Sequence, residues 1–389
     1  MASFVTHLEC SRCGRRYGHL EVRNLCECGG PLLVEYDLDA VRGVVRREDL
    51  PGRTASMWRY RELLPVEEPV RAVTLGEGFT PLFPLGRLGT SAGLDDLWLK
   101  DDGLNPTGTF KARGAAAGMT AAVERGVREV ALPTAGNAGA AWAAYGAAAG
   151  VAVHVAMPRD APETVRGQCR RYGAEVTLVD GFIGDAAAVI AEGVRGRGWF
   201  DAGTLREPYR IEGKKTLGLE IAEQLDWRLP DAIVYPAGGG VGIIGIWRAL
   251  NQLAALGWVQ GDLPRLIVVQ AEGCAPMVKA FHDGAEESEH WPDPHTIAQG
   301  LRVPKALGDF LVLRAVRETG GTCVAASDDE IRAAVDDLAA HAGVLACPEG
   351  AATLAAAKRL RQSGQLRQAD RVVLINTGTG LADTELLRR

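Results

Sequence analysis

Short runs of β-branched residues alternate with longer runs of helical periodicity, and this pattern limits the folds open to the chain. We predict strands over residues 97–100, 129–133, 151–157, 175–179, 232–235, 266–270 and 372–376. We predict helices over residues 139–149, 162–172, 185–194, 214–224, 242–256, 328–341 and 351–362. Such alternation predicts an α/β fold in which helices cover parallel sheets. The chemistry of such sheets lies beyond the carboxyl ends of the strands.

The composition narrows the class of partner. A chain of 389 residues with 47% apolar and 24% charged residues is typical of a globular protein of two or three domains. The net charge of −6 provides no basic surface for nucleic acid. No apolar run is long enough to span a bilayer, and the first residues lack the pattern of a secretory signal. We therefore expect a cytoplasmic protein that acts on small molecules, with no nucleic-acid or membrane partner.

One lysine stands in an unusual place. Residues 105–115 read Asn-Pro-Thr-Gly-Thr-Phe-Lys-Ala-Arg-Gly-Ala, which puts Lys111 at the start of an alanine-rich helix predicted over 112–122. A helix dipole disfavours a cation at that end. A solvated surface amine is the alternative for any single lysine, but Phe110 and the alanines predict partial burial. A desolvated lysine has a lowered pKa and forms Schiff bases.

A glycine-rich segment lies directly between a predicted strand and a predicted helix. Residues 237–242 read Ala-Gly-Gly-Gly-Val-Gly, and glycines at a helix N-terminus let backbone N–H groups surround a phosphate. Gly240, Gly242 and Gly245 also match the dinucleotide pattern GxGxxG, so a nicotinamide-dependent dehydrogenase is an alternative. That pattern requires an acidic residue at the end of the next strand, and Asp262 instead lies in the loop before it.

Two further loops follow predicted strands. Residues 133–139 read Pro-Thr-Ala-Gly-Asn-Ala-Gly, in which Asn137 begins a helix and would by itself be interpreted as an N-cap. Residues 376–381 read Asn-Thr-Gly-Thr-Gly-Leu, and Thr377 would by itself be interpreted as a turn residue.

These four segments, in this order over roughly residues 75 to 381, resemble fold-type II pyridoxal-phosphate (PLP) enzymes of the tryptophan synthase beta superfamily. The resemblance implies two parallel-sheet α/β domains with PLP in the cleft between them. It implies a large PLP-binding domain over 41–101 and 200–389, a smaller domain over 102–199 and a zinc-ribbon-like segment over 1–40. Homodimers are usual in the family. The implied cofactor residues are the catalytic Lys111, then Phe110 and Asn137 beside the ring, the phosphate loop Gly238, Gly239, Gly240, Val241 and Gly242, and Thr377 at the pyridine nitrogen.

Within that superfamily, residues 75–82 and 207–216 and the N-terminal ribbon resemble threonine synthases. This implies conversion of O-phospho-L-homoserine and water to L-threonine and phosphate, with Arg210 on the substrate phosphate and Thr134 as a further substrate residue. Lys111 would remove the Cα proton. Several positions depart from the family pattern, namely Ala112, Ala138, Thr204, Leu205, Glu207, Thr379 and Ala382. We expect the Glu207 carboxylate to point away from the phosphate, or the substrate to lack one; a threonine or serine dehydratase or a β-replacement enzyme is the alternative.

The eight cysteines form two sets. Cys10, Cys13, Cys26 and Cys28 lie in a CxxC and a CxC pair near glycines, which suits structural zinc coordination. The CxC pair is one residue shorter than usual, so His19 is an alternative ligand and a metal-free ribbon is an alternative structure. A zinc-ribbon binding module without catalysis is a further functional alternative. The other cysteines are scattered and are expected to be reduced and buried.

Overall fold

The predicted alternation of strands and helices is present in the computed structural model, which describes residues 3–68, 71–134, 136–181 and 183–383. The strands in these ranges are β1 (Val5–Cys10), β2 (Arg16–Tyr17), β3 (Leu32–Tyr36), β4 (Leu82–Pro84), β5 (Asp96–Asp101), β6 (Glu129–Pro133), β7 (Ala152–Pro158), β8 (Glu175–Val179), β9 (Phe200–Asp201), β10 (Ala232–Pro236), β11 (Arg265–Ala271), β12 (Thr322–Ala326) and β13 (Arg371–Asn376). The α-helices are α1 (Leu38–Val44), α2 (Gly86–Ala92), α3 (Lys111–Glu124), α4 (Asn137–Ala149), α5 (Glu163–Arg171), α6 (Ile183–Arg197), α7 (Tyr209–Gln224), α8 (Val241–Leu256), α9 (Pro276–His282), α10 (Asp309–Glu318), α11 (Asp328–Ala342) and α12 (Pro348–Gln362).

Every strand and helix predicted above is found, and the α/β class is confirmed. The elements that the prediction missed are mostly short: strands β2, β4 and β9 have two or three residues, and helices α1, α2 and α9 have seven. Such lengths are too small for hydrophobic periodicity to be recognised. In the described parts of the chain, no helix has both the length and the apolar character needed to cross a bilayer.

The chain divides into two compact units. The first comprises Met1–Phe79, Asn105–Thr107 and Lys111–Thr216, and the second comprises Thr80–Leu104, Gly108–Phe110 and Leu217–Arg389. The first unit contains a parallel four-stranded sheet of order β8-β7-β6-β9 and an antiparallel three-stranded sheet of order β2-β1-β3. Its core is rich in alanine from α3 and α4, and small side chains let these two helices approach closely. A methyl group added at Gly118 of α3 would lie 2.6 Å from the Trp142 ring of α4.

The second unit is built on a six-stranded sheet of order β12-β11-β10-β13-β5-β4. All neighbours in it are parallel except the edge strand β4, which runs antiparallel to β5. Strands β10 and β13 are neighbours, with Ala232 opposite Val372. The loops that follow these two strands are the glycine-rich segment and the Thr377 segment. Parallel pairing therefore brings two of the predicted site segments to the same edge of one sheet.

Candidate active site

Lys111 is the first residue of α3, and it is half-buried as predicted. The chain reaches it through a short turn, Pro106–Gly108, in which Thr107 has a positive φ of 63°. Asn105 anchors this turn because its Oδ1 accepts a hydrogen bond from the Gly78 N–H at 2.9 Å. The turn that leads to Lys111 is therefore fixed by the Asn105 side chain, and the amine projects from the first residue of α3.

The start of α3 packs closely on the start of α7 within the first unit. A methyl group added at Gly114 would lie 3.2 Å from the Arg210 Cβ, and one added at Gly213 would collide with the Arg113 carbonyl oxygen. Glycine on both helices is what permits this approach. The turn that carries Lys111 thus lies beside the turn that carries Arg210, as a shared substrate site would require.

Asn137 and Thr134 follow strand β6. Asn137 is the first residue of α4 and is half-buried, while Gly136 takes the N-cap position, so the N-cap interpretation of Asn137 is wrong. No hydrogen bond joins the Asn137 side chain to another described residue. Thr134 is buried, and its hydroxyl accepts a hydrogen bond from the Gly136 N–H at 3.0 Å. The Asn137 amide is therefore available to a ligand at this strand end.

The glycine-rich loop joins β10 to the buried helix α8. Gly240 is the N-cap of α8 with φ of 76°, a conformation that favours glycine. Added methyl groups would collide with the Gly300 carbonyl oxygen at Gly238, with Val312 at Gly240 and with the Tyr235 hydroxyl at Gly242. The loop is thus a close-packed backbone cradle at a helix N-terminus, and such a cradle fits the phosphate of PLP.

Thr377 follows β13 and is held beside the residues that precede Lys111. The Phe110 N–H donates to the Thr377 carbonyl oxygen at 2.9 Å, and the Thr379 N–H donates to the Gly108 carbonyl oxygen at 2.9 Å. The Phe110 ring also makes an edge-to-face contact with Tyr235, at 6.3 Å between centroids. Within the second unit, these contacts bring together Phe110, the end of the strand that leads to the phosphate cradle, and the backbone of Thr377.

Cys347 is a site neighbour that the sequence analysis assigned only to the buried core. Its Sγ lies 3.7 Å from the Thr377 Oγ1, and it is the N-cap of α12, accepting from the Gly350 N–H at 3.3 Å. Burial raises its pKa well above the ordinary thiol value, so it remains a neutral thiol. The following Pro348, at the first position of α12, is the sequence signal for this helix start. A neutral thiol beside a neutral hydroxyl leaves the Thr377 position without a formal charge.

Arg210 is buried and already engaged by its own loop. Its Nε donates to the Glu207 Oε1 at 2.7 Å, its Nη1 to the Thr204 Oγ1 at 3.3 Å and its Nη2 to the Ala202 carbonyl oxygen. Its guanidinium also lies 5.5 Å from the Trp142 ring centroid. A guanidinium has five N–H donors, so two remain without a partner among the described residues.

The Glu207 carboxylate faces the Arg210 guanidinium, and its orientation toward a bound phosphate stays a prediction. Its Oε2 accepts from the backbone N–H groups of Tyr209 at 2.7 Å and Arg210 at 3.0 Å, so it also caps the start of α7. This cap explains why α7 begins five residues before the predicted helix. Burial raises the pKa of Glu207, while Arg210 and the two backbone donors oppose that shift.

The four N-terminal cysteines form a compact cluster. Their Sγ atoms all lie within 4.8 Å of one another, with 3.5 Å between Cys10 and Cys28 and 3.5 Å between Cys13 and Cys26. Tetrahedral zinc with bonds of about 2.3 Å places sulfur atoms about 3.8 Å apart, so the donor set fits zinc. A hydrogen bond from the Tyr17 hydroxyl is the main cause that lowers the pKa of Cys26 to about 6. His19 is not part of the cluster, and its Nε2 lies 3.5 Å from Glu67.

Similarity to known proteins agrees with this geometry. Residues 73–378 match the family described as "Pyridoxal-phosphate dependent enzyme". Threonine synthase of Methanosarcina acetivorans is 38% identical over 384 residues, which cover 97% of this chain and 93% of that protein. Threonine synthase of Methanocaldococcus jannaschii is 34% identical over 377 residues, again covering 97% and 93%. The solved structure of maize serine racemase aligns with a TM-score of 0.68 at 25% identity, over 77% of this chain and 88% of the racemase.

These matches decide between the classes left open by the sequence. The family match spans the lysine segment, the Asn137 loop and the glycine-rich loop, and it extends to Thr377. This family match excludes a nicotinamide-dependent dehydrogenase as the interpretation of the GxGxxG pattern. It also excludes a zinc-ribbon module without catalysis. Since relatives more than 30% identical span almost the whole chain, it belongs to the threonine synthase family of pyridoxal-phosphate-dependent enzymes.

Proposed function

We propose that this enzyme converts O-phospho-L-homoserine and water to L-threonine and phosphate. The observation that carries the proposal is its match to threonine synthases along nearly the whole of both chains. The close packing of the Lys111 turn on the Arg210 turn supports it, because a base and an anion-binding group have to meet on one substrate.

Each residue of the candidate site has a distinct role in this proposal. Bound PLP supplies an electron sink for the negative charge that develops at the substrate Cα. Lys111 Nζ is the proposed base that takes protons from the substrate and returns them, since it is half-buried and directly beside the cofactor residues in the chain. The backbone N–H groups from Gly238 to Gly242 are proposed to hold the cofactor phosphate at the start of α8. Asn137 and Phe110 flank the cofactor ring in this proposal, and the neutral Thr377 hydroxyl faces its nitrogen.

Arg210 is proposed to bind the substrate phosphate through its two remaining donors. The pair that it forms with Glu207 fixes the orientation of the guanidinium but also cancels its formal charge locally. Thr134 is proposed as a further substrate contact because it lies at the end of β6, next to Asn137. The proposed anion site is therefore preorganised, but the Arg210 charge in it is offset by the Glu207 charge.

A threonine or serine dehydratase is the second candidate, and one observation favours it. The buried Glu207 carboxylate beside Arg210 disfavours a phosphate dianion more than it disfavours a hydroxy amino acid. The same Lys111 would then remove the Cα proton while water leaves from Cβ. A β-replacement enzyme would share these first steps.

One assay separates the candidates. Purified enzyme with PLP is incubated with O-phospho-L-homoserine, L-threonine or L-serine, and phosphate, L-threonine and 2-oxo acids are each measured. Threonine synthase activity predicts phosphate and L-threonine in equal amounts from phosphohomoserine only. Release of 2-oxobutyrate from threonine, with no phosphate from phosphohomoserine, would establish the dehydratase instead.

We also propose that Cys10, Cys13, Cys26 and Cys28 hold a structural zinc ion. The sulfur spacing supports it, and four thiolate ligands leave no open position for substrate. The ion would therefore contribute to folding of the ribbon rather than to catalysis.

We further infer that the enzyme is a cytoplasmic homodimer. Leu104 and Leu381 are 66% and 69% exposed; Leu104 follows Gly103, Leu381 lies two residues after Thr379, and a methyl group added at Gly103 would lie 2.9 Å from the Thr379 backbone nitrogen. Large apolar side chains exposed on neighbouring segments support burial by a second copy. The buried free thiols of Cys169, Cys274, Cys323 and Cys347 suit a reducing compartment. Light scattering on the wild type and on Leu381→Glu measures the molecular mass and so tests the homodimer. Cell fractionation tests the cytoplasmic location.

A further inference from the structure

We propose that Asn24, in the N-terminal ribbon, is a positioning residue for Arg210 and thus for the anionic end of the substrate; this inference rests on the proposed function of Arg210. The Asn24 side-chain amide donates to the Asp201 carbonyl oxygen at 2.6 Å and to the Arg206 carbonyl oxygen at 3.0 Å. One amide therefore clamps both ends of a loop that lies more than 170 residues away in the chain.

The clamped loop contains a strained residue. Leu205 is buried and has φ of 61°, a left-handed conformation that a leucine rarely adopts. Such conformations persist only where surrounding contacts hold them, and they are concentrated at functional sites. The Asn24 amide bonds to carbonyls on both sides of Leu205, so it is placed to hold this conformation.

The same loop sets the orientation of Arg210. The Ala202 carbonyl oxygen, the Thr204 hydroxyl and the Glu207 carboxylate each accept a hydrogen bond from the Arg210 guanidinium. All three acceptors lie within or directly after the stretch that Asn24 closes. If the loop relaxes, the two remaining donors of Arg210 lose their direction, while Lys111 on α3 keeps its own anchor at Asn105.

The ribbon is held on the start of α7 by further contacts. Tyr209 packs with Leu8 and Cys26 in one apolar cluster, and the Tyr36 hydroxyl donates to the Glu212 Oε2 at 2.8 Å. These contacts keep Asn24 in place, and Asn24 lies two residues before the cluster residue Cys26. The N-terminal ribbon therefore packs against the segment that carries Arg210 and supports the loop at residues 202–206.

The test compares wild type, Asn24→Asp and Glu21→Gln as PLP-loaded enzymes. Asn24→Asp keeps the side-chain shape but removes both donors, whereas the Glu21 side chain is 58% exposed and pairs with the nearby Arg23 at 3.4 Å. Three quantities are measured: kcat and KM for O-phospho-L-homoserine, the inhibition constant of inorganic phosphate, and hydrogen exchange of the amides of residues 202–206. We expect Asn24→Asp to raise KM and the phosphate inhibition constant about tenfold with kcat changed by less than about twofold.

Hydrogen exchange makes the inference independent of the substrate assignment. We expect faster exchange at 202–206 in Asn24→Asp, with exchange in α3 and α4 unchanged, and wild-type behaviour for Glu21→Gln. Unchanged exchange in that loop overturns the inference whatever the substrate is. Equal loss of kcat and a general loss of protection would show a merely structural role and also overturn it. Wild-type enzyme that releases no phosphate from phosphohomoserine refutes the proposed function instead.

Discussion

Replacing Glu207 by glutamine tests whether Arg210 binds the substrate phosphate. The change keeps the size of the side chain and an amide oxygen that can still accept from the Arg210 Nε, and it removes the charge that faces Arg210 at 2.7 Å. A phosphate on the open edge of the guanidinium would lie about 7 Å from this carboxylate, where two unit charges repel by roughly 2.4 kcal/mol at an effective dielectric constant of about 20. Removing that repulsion should therefore tighten phosphate binding by about fiftyfold.

The matched control is Glu220→Gln. Glu220 is also on α7 and forms an equally buried pair, in which the Lys100 Nζ donates to its Oε2 at 2.6 Å with both side chains 0% exposed. Breaking one partner of a buried pair costs about 3–5 kcal/mol, so both variants should lose stability to a similar extent in urea unfolding. Only Glu207→Gln should change the inhibition constant of inorganic phosphate in the phosphohomoserine assay. An unchanged or weaker inhibition by phosphate in Glu207→Gln would refute the assignment of Arg210.

The pH dependence gives a second readout of the same pair. Because burial raises the pKa of Glu207, its protonation begins at a higher pH than for an ordinary carboxyl. Protonation removes the charge just as the substitution does, so the wild type should approach Glu207→Gln in phosphate affinity as the pH falls. The ratio of the two inhibition constants cancels the ionisation of phosphate itself. A ratio that stays constant over the stability range of both proteins would contradict the role of the Glu207 charge.

Three further outcomes are expected. Lys111→Ala should abolish turnover and the visible absorbance of the bound cofactor, whereas Lys279→Ala, at a side chain 57% exposed, should retain both. Gly240→Ala should weaken PLP binding at least about tenfold because the methyl collides with Val312, whereas Gly261→Ala, with a similar φ of 85° but open space around it, should only cost about 1 kcal/mol of stability. Cys10→Ser should lower the zinc content measured by elemental analysis, with Cys274→Ser as the control that keeps it; wild type without zinc would contradict the structural ion.

The sequence alone predicted the strands before the site loops and the partial burial of Lys111, because both depend on neighbouring residues. The strands before Thr134, Gly238 and Thr377 are continuous apolar runs followed by glycine or small hydroxyl residues, and such runs are recognisable in a single sequence. The half-burial of Lys111 followed from Phe110 and the alanines beside it. The Glu207 cap on α7 was also within reach, since a carboxylate three residues before an arginine at a helix start is a local signal.

The remaining features depend on contacts between distant segments. Cys347 lies beside Thr377 because the start of α12 meets the end of β13, and no local pattern predicts that encounter. The Asn24 amide joins the N-terminal ribbon to the loop that follows β9 in the first unit. The conformation of Leu205 could not be predicted either, because its local sequence gives no reason for a positive φ. Tertiary contacts decide these positions, which include the surroundings of the proposed substrate site.

The geometry of Arg210 limits the kind of group that its site can select. Ala202, Thr204 and Glu207 accept hydrogen bonds from three of its donors, and the other two donors have no partner among the described residues. A pair of anionic oxygens, as in a phosphate or a carboxylate, can accept from both at once, whereas a single hydroxyl leaves one buried donor unpaired. The free donors thus favour an anionic substrate end, and the Glu207 charge opposes its tight binding. In the proposed reaction, weak but directional binding of this kind would orient the leaving phosphate without retaining it as product.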